Sequence, residues 1–187
     1  LERWVLHRLA EVETEIHAAY KAFDFKRAMS LVVNFAVIDL SALYFDIRKD
    51  SLYCDPRGAP IGAAAAFALR RRAARTVMLA VFERLLDWLK PVMPFTTDEA
   101  FSQSPFKAAA KSVHLYDARK RPADWLDPAH GARWDKIFRI RKVVTGALEV
   151  ERREKRIGAS LESAPDVYVA DADLIAAFDG EPAADLF

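Results

Sequence analysis

Arginines and lysines are the residues of this sequence whose crowding could do chemistry. Arg48, Lys49 and Arg57 precede the run Arg70-Arg71-Arg72 and Arg75, with only Asp50 and Asp55 to offset them. A second group, Lys136, Arg139, Arg141 and Lys142, leads into Arg152-Arg153-Glu154-Lys155-Arg156. Such groups can recognise a polyanion: guanidinium forks match phosphates, and their planes stack on splayed bases. A basic run alone reads as a solvated helix face, and cations near a helix C-terminus are favourable in any case. Neighbouring arginines on a helix point in different directions, so only part of the 70–75 cluster could meet one partner. The net charge of +1 hides an asymmetry: all 28 Lys and Arg stand at or before Arg156, so residues 1–156 carry +8 and residues 157–187 carry −7. A basic body suits a polyanionic partner and an acidic tail does not. Tyr44, Phe45 and Tyr53 flank the first cluster. Exposed rings there would stack unpaired bases; the rival reading is that Tyr44 and Phe45 close the bottom of a helical core.

Other chemistries are poorly served. With 6 Gly in 187 residues there is no GxxxxGK[ST] or GxGxxG loop to cradle a phosphate. His7, His17, His114 and His130 are scattered and lack ligand spacing, so no metal site is expected; His7 and His17 read as helix-flank residues. Cys54 is the only cysteine, which excludes an internal disulfide and a four-thiolate zinc site. It reads as a half-buried loop thiol. Asp39 falls on the apolar line of its helix, either as a functional carboxylate or as a core residue tied to a neighbour by hydrogen bonds. No catalytic constellation emerges. The apolar fraction of 52% and charged fraction of 29% suit a soluble globular protein. No run of roughly 18 apolar residues is expected to span a bilayer. The opening Leu1-Glu2-Arg3-Trp4-Val5 has neither Met nor a signal-peptide layout, as expected of a piece of a longer protein.

The elements that must position these residues are mostly helical. Val5, Leu9, Val12, Ile16 and Tyr20 form one stripe of a first helix. Asp24 is the expected cap of a second, which places Phe25, Ala28, Val32, Phe35, Ala36, Leu40 and Leu43 on one side and runs to about Arg48. Residues 56–62 form a loop. A third helix turns Phe67, Ala74, Val77, Val81, Leu85 and Trp88 inward and ends at Pro91. Thr96 and Glu99 have the spacing of a capping box for a short helix, and residues 112–115 read as a short extended piece. Asp127-Pro128 opens a fourth long helix, with Trp134, Ile137, Arg141, Val144, Leu148 and Glu151 on one line and Gly158 at its end. Residues 166–170 suggest a short strand, and Asp171 a cap for a last small helix. The fold class is mainly α: a helical bundle over residues 1–158, followed by the start of a small α+β segment over 159–187 that the chain cuts short.

Residues 39–55 read DLSALYFDIRKDSLYCD. They resemble the segment DLSAFYFDIRKDRLYCD of bacterial isoleucyl-tRNA synthetases. Glu2-Arg3-Trp4-Val5-Leu6 is similar to that family's entry into its anticodon-binding bundle, and residues 20–25 to its first helix turn. Residues 89–100 resemble LAPILPFTAEEAW, Ser112-Val113-His114-Leu115 matches SVHL, and residues 149–162 resemble LExxRxxKxIGSSLEA. These motifs come in the family's order across most of residues 1–163. The proline-bounded motif also suits valyl and leucyl relatives, whereas RKDxLYCD favours isoleucyl. Leu43, Ser51, Phe101 and Ser163 depart from the usual Phe, Arg, Trp and Ala, and Ser51 removes one possible phosphate contact.

The resemblance implies the anticodon-binding helical bundle of a class I aminoacyl-tRNA synthetase. The parent enzyme would activate isoleucine with ATP and charge its tRNA, using magnesium and zinc. The HIGH and KMSKS signatures, the editing domain and the zinc cysteines are absent from this chain, so it is expected to have no catalytic activity or cofactor of its own. Its implied partner is the anticodon stem-loop of isoleucine tRNA, in the cytoplasm, bound by a monomer without affinity for DNA or membrane. The residues expected to touch the RNA are Arg48, Lys49, Arg71, Arg75, Arg152, Lys155 and Arg156, with Tyr44 and Tyr53 as stackers. The alternatives are a valyl-type anticodon domain and a helical protein-interaction module.

Overall fold

A computed structural model describes residues 1–54, 63–159 and 162–178, without the side chains of residues 63–67. Its contacts divide the chain into two compact units, Leu1–Leu126 and Asp127–Phe187. The division falls ahead of the last long helix, where the sequence suggests one after it.

The first unit is built on three long helical rods. Helix α1 spans Glu2–Lys21 and buries Val5, Leu9, Val12 and Ile16 of the expected stripe, leaves Tyr20 half-buried and also buries Trp4. It closes through Asp24 N donating to Ala19 O at 2.9 Å, with Phe23 at φ 56 in the left-handed position where glycine is usual. Asp24 then caps α2, Phe25–Asn34, by accepting from Arg27 N at 2.9 Å. Such a cap is worth about 1 kcal/mol. The rod continues as a π-helical segment, Phe35–Phe45, and as α3, Asp46–Tyr53. Through the wider segment the buried residues are Phe35, Leu40 and Tyr44. Two turns therefore use nine residues, where an α-helix would use about seven. This shifts the inward line from the expected Leu43 to Tyr44.

Helix α4, Ala63–Leu89, completes the trio. The pairs Glu15–Arg27, Arg8–Asp39 and Glu2–Arg48 set the second rod antiparallel to α1. Tyr44 donating to Ala74 O and Phe35 packing on Trp88 set it antiparallel to α4. The C-termini of α1 and α4 consequently share one end with the start of α2, and Tyr20 donates to Trp88 O there at 2.6 Å. Asp39 is the tied core carboxylate, held by Arg8 at 3.2 Å. The rod Phe25–Tyr53 is long and apolar enough by length and composition to cross a membrane. The sequence reading missed this, because it sought an uninterrupted apolar run; in the fold, one side of the rod packs on α1 and α4.

Helix α5, Pro94–Ser102, begins two residues before the expected capping box, with Pro94 in its first turn and no side-chain cap. Proline suits the first helical position because its fixed φ is already helical and its missing N–H would have no partner within the helix. Thr97 bonds back to Met93 O at 2.8 Å, and Asp98 accepts from Ser112 Oγ and Val113 N at 2.6 and 2.9 Å. That clamp winds Val113–Leu115 into a single 3₁₀ turn rather than an extended piece, and drives Val113 into a small core with Leu86 and Phe101. His7 is buried beside Glu11 rather than on a helix flank, and Cys54 is exposed.

A chain of alternating charges crosses the interior of this unit. Arg121 Nε meets Glu13 at 2.7 Å, and Glu13 meets Arg84 Nη1 at 3.1 Å. Arg84 Nη2 meets Glu83 at 3.4 Å, and Glu83 receives Arg119 at 3.0 Å and the Tyr116 hydroxyl at 2.5 Å. Glu13, Glu83 and Arg84 are all buried. Burial pushes the Glu83 carboxyl up, but hydrogen bonds from Arg119 and Tyr116 outweigh it and bring its pKa down to about 2. Burial and the bond to Glu83 raise Tyr116 to about 12.

In the second unit, Asp127 caps α6, Pro128–Arg153, by accepting from His130 N at 3.0 Å. Ile140, Val144 and Leu148 pack against Ile157, Val169, Leu174 and Phe178. Ile140 takes the inward place expected of Arg141. The helix ends before Gly158: Arg156 N donates to Glu151 O at 3.0 Å across Lys155, which adopts φ 59. Asp171 caps α7, Ala172–Ala177. Residues 166–170 form no strand, and no second strand among the described residues offers a ladder.

The Glu83 carboxylate has a depressed folded pKa, so its contribution to stability is complete above the unfolded value of 4.5 and disappears as pH falls toward 2. Glu83→Gln should therefore lower unfolding free energy at pH 7 by about 2–3 kcal/mol. Denaturant melts at stepped pH should show the gap to wild type closing below pH 4.5.

Candidate nucleic-acid interface

The far end of the three-rod unit gathers the C-terminus of α3 and the early turns of α4, which pack on each other. Lys49 is exposed on α3, its ammonium 3.1 Å from Asp46. Tyr53, one turn further, is 84% exposed and presents an open ring at the helix end. On α4, Arg75 is exposed and Arg71 half-buried. The burial of Ala74, Val77 and Val81 explains the difference. Arg70 and Arg71 stand one turn before Ala74 on that inward line, whereas Arg72 and Arg75 stand off it. Arg72 is exposed. Arg72 is absent from the residues expected to touch RNA, and the inward line of α4 is the signal that points to it. Arg57 lies outside the described residues.

Two expected contacts belong elsewhere. Arg48 is buried and clasps Glu2 through Nε at 2.6 Å and Nη2 at 2.8 Å. Burial raises the Glu2 pKa and Arg48 more than reverses it, leaving it lowered. The guanidinium thus joins α3 to α1. Tyr44 is fully buried, with its hydroxyl donating to Ala74 O at 3.3 Å and its own pKa raised by burial. It has no ring face to offer a base. Both residues moved inward because the π-helical segment turned the α3 face by a fraction of a turn.

The second unit carries the other cluster at the end of α6. Arg152 pairs with Glu149, and Arg156 is held by Glu151 at 2.7 Å and by Glu154. Lys155, in its left-handed position, and Arg153 are exposed. Three glutamates temper this cluster, so its net field is weaker than a count of cations suggests. In each unit the arrangement can bind and position a polyanion. Among the described residues, no three His, Cys, Asp or Glu side chains could hold a metal ion.

Comparison with known proteins gives the arrangement its context. The profile of a family described as the anticodon-binding domain of tRNA ligase matches residues 2–169. An isoleucine–tRNA ligase from Agrobacterium fabrum is 50% identical over 187 residues, covering 100% of this chain and 18% of that protein. Those from Caulobacter vibrioides and Brucella abortus are each 44% identical, over 100% and 96% of this chain and 18% and 17% of their own length. The chain thus spans less than a fifth of the curated relatives it matches. It belongs to the family of anticodon-binding domains of tRNA ligases.

Proposed function

We propose that this chain is the part of an isoleucine–tRNA ligase that holds the anticodon stem-loop of isoleucine tRNA. The observation that carries this reading is the pairing, at one end of the three-rod unit, of an exposed ring with exposed cations: Tyr53 with Lys49, Arg72 and Arg75. Cations neutralise backbone phosphates and fix the RNA's position, while an exposed ring stacks an unpaired base. Lys155, with Arg152 and Arg156 in their glutamate pairs, supplies a second phosphate-facing group. Isoleucine rather than valine is favoured by residues 39–55 and by the naming of the relatives above as isoleucine–tRNA ligases. The proposed ligase works in the cytoplasm as a monomer. ATP, magnesium and zinc, which the family resemblance attaches to the whole enzyme, would act in parts of the ligase outside this chain.

The reading is tested by titrating isoleucine tRNA, with its native and with a changed anticodon, at two salt concentrations. The native anticodon should bind more tightly, and affinity should fall steeply with salt. Equal binding to both would reduce the surface to a nonspecific basic patch. Arg72→Glu with Arg75→Glu should weaken binding at least tenfold and flatten the slope of log affinity against log salt by about 1–2. Tyr53→Ala should cost about 1–3 kcal/mol of binding free energy with little change in the salt slope.

Arg48→Met serves as the internal contrast. It should destabilise the fold by about 1–3 kcal/mol, since Glu2 loses its partner. The tRNA affinity of the folded protein should stay within about twofold of wild type, a difference near the 0.5 kcal/mol limit expected for a non-contacting site. A large affinity loss without destabilisation would return Arg48 to the interface.

A further inference from the structure

The opposite end of the three-rod unit has a different chemistry. The junction of α1 and α2 exposes Phe23 and, at the start of α2, Phe25; the junction of α4 and α5 exposes Val92, Met93 and, in the first turn of α5, Phe95. Phe23 is 79% and Phe95 89% exposed. The two junctions are tied together: Tyr20 donates to Trp88 O at 2.6 Å and lies edge-on to Phe25, with ring centroids 5.9 Å apart. Phe25 in turn meets Phe23 at 6.2 Å. Single exposed apolar side chains are ordinary, but five gathered on two junctions that Tyr20 and Trp88 tie together at one end of the rods mark an interaction site. Phe23 adds a second sign. It occupies a left-handed position at φ 56, where glycine would fit without strain, and its ring is almost wholly in solvent.

We propose that this apolar end docks on the rest of the same ligase polypeptide, against an apolar surface of its remaining domains. The proposal rests on the chain being one domain of such a ligase, but not on where the tRNA sits. Three observations favour this occupant. The matched relatives are far longer, the Agrobacterium protein devoting 18% of its length to this region, so most of the polypeptide is available to cover the patch. The patch stands at the other end of the 29-residue rod Phe25–Tyr53 from Tyr53, about 40 Å away at 1.5 Å per residue. One end can therefore be covered while the other engages a ligand. Finally, Val92 and Met93 have no planar face to stack on a base, and Lys21, Lys26 and Arg27 rim the patch, giving the apolar centre and polar edge of a protein–protein contact.

Hydroxyl-radical footprinting of the full-length ligase, without tRNA, tests the proposal. Phe23, Met93 and Phe95 should label roughly tenfold more slowly than Tyr53, in proportion to the fall of Phe95 from 89% exposure to the burial of a core side chain. In the variant Phe23→Gly, Phe95→Ser, protection of Phe25 and Met93 should be lost. Glycine suits the left-handed position, so the domain remains folded. Labelling of the patch at the rate of Tyr53 would overturn the proposal. Protection that vanishes on dilution would assign the patch to a second copy instead, and protection appearing only with tRNA would assign it to the RNA. Failure of the anticodon titration would leave this result untouched, since no RNA is present.

Discussion

Glu13 and Glu83 lie inside the first unit with the Arg84 guanidinium between them, and Arg121 and Arg119 close the row from outside. Buried carboxylates cannot stand alone, so α1 and α4 must keep one longitudinal offset for each to find its cation. The crossing segment around residues 116–121 is fixed by the same demand. An apolar contact between two rods tolerates sliding. A row of five alternating charges does not, because a displacement of one residue puts like charges together. The row contributes more to the choice of one alignment than to the depth of the energy well.

That alignment distributes the work of the surface. With α1 and α4 parallel and the rod between them reversed, one end receives two chain turns and the other receives a helix terminus and a helix start. The turns carry phenylalanines and aliphatic side chains; the terminus carries Tyr53 and the arginines of α4. Polyanion recognition needs long cations on a rigid support. The early turns of α4 supply it, because Ala74, Val77 and Val81 anchor that helix immediately beyond Arg72. The glutamate-tempered cluster in the second unit is a different kind of surface, with cations already engaged by Glu149, Glu151 and Glu154.

Much of this was legible in residue spacing. The α1 stripe, the caps Asp24, Asp127 and Asp171, and the tied role of Asp39 all depend on contacts within a few residues or on a single burial rule. The errors arose where a distant or competing partner decides. Thr96 matched a cap, yet Pro94 had already opened the helix. Residues 166–170 have strand-like composition but, among the described residues, no strand to pair with. His7 reads as polar and is buried beside Glu11. At the site, sequence found the clusters but not their facing: Arg48 and Tyr44 turned inward, and Arg72 turned out. The first two depend on helix phase, which a 3.6-residue period misjudges where the winding changes, whereas Arg72 follows the regular inward line of α4.

The π-helical stretch Phe35–Phe45 makes that phase a property of length. Its two turns consume two residues more than α-helical turns would, and each residue is worth about 100° of rotation. Loss of two residues there, with a return to tighter winding, would leave the helix continuous and its first half packed as before. Everything beyond residue 45 would keep its angular setting only in that case. Loss of one residue, or a change of winding without a change of length, would roll Arg48 away from Glu2 and turn Lys49 and Tyr53 toward α1. The middle of the rod thus behaves as a gear whose tooth count selects which side chains of α3 meet the outside. Variation in this stretch should be tolerated in side-chain identity far more readily than in number.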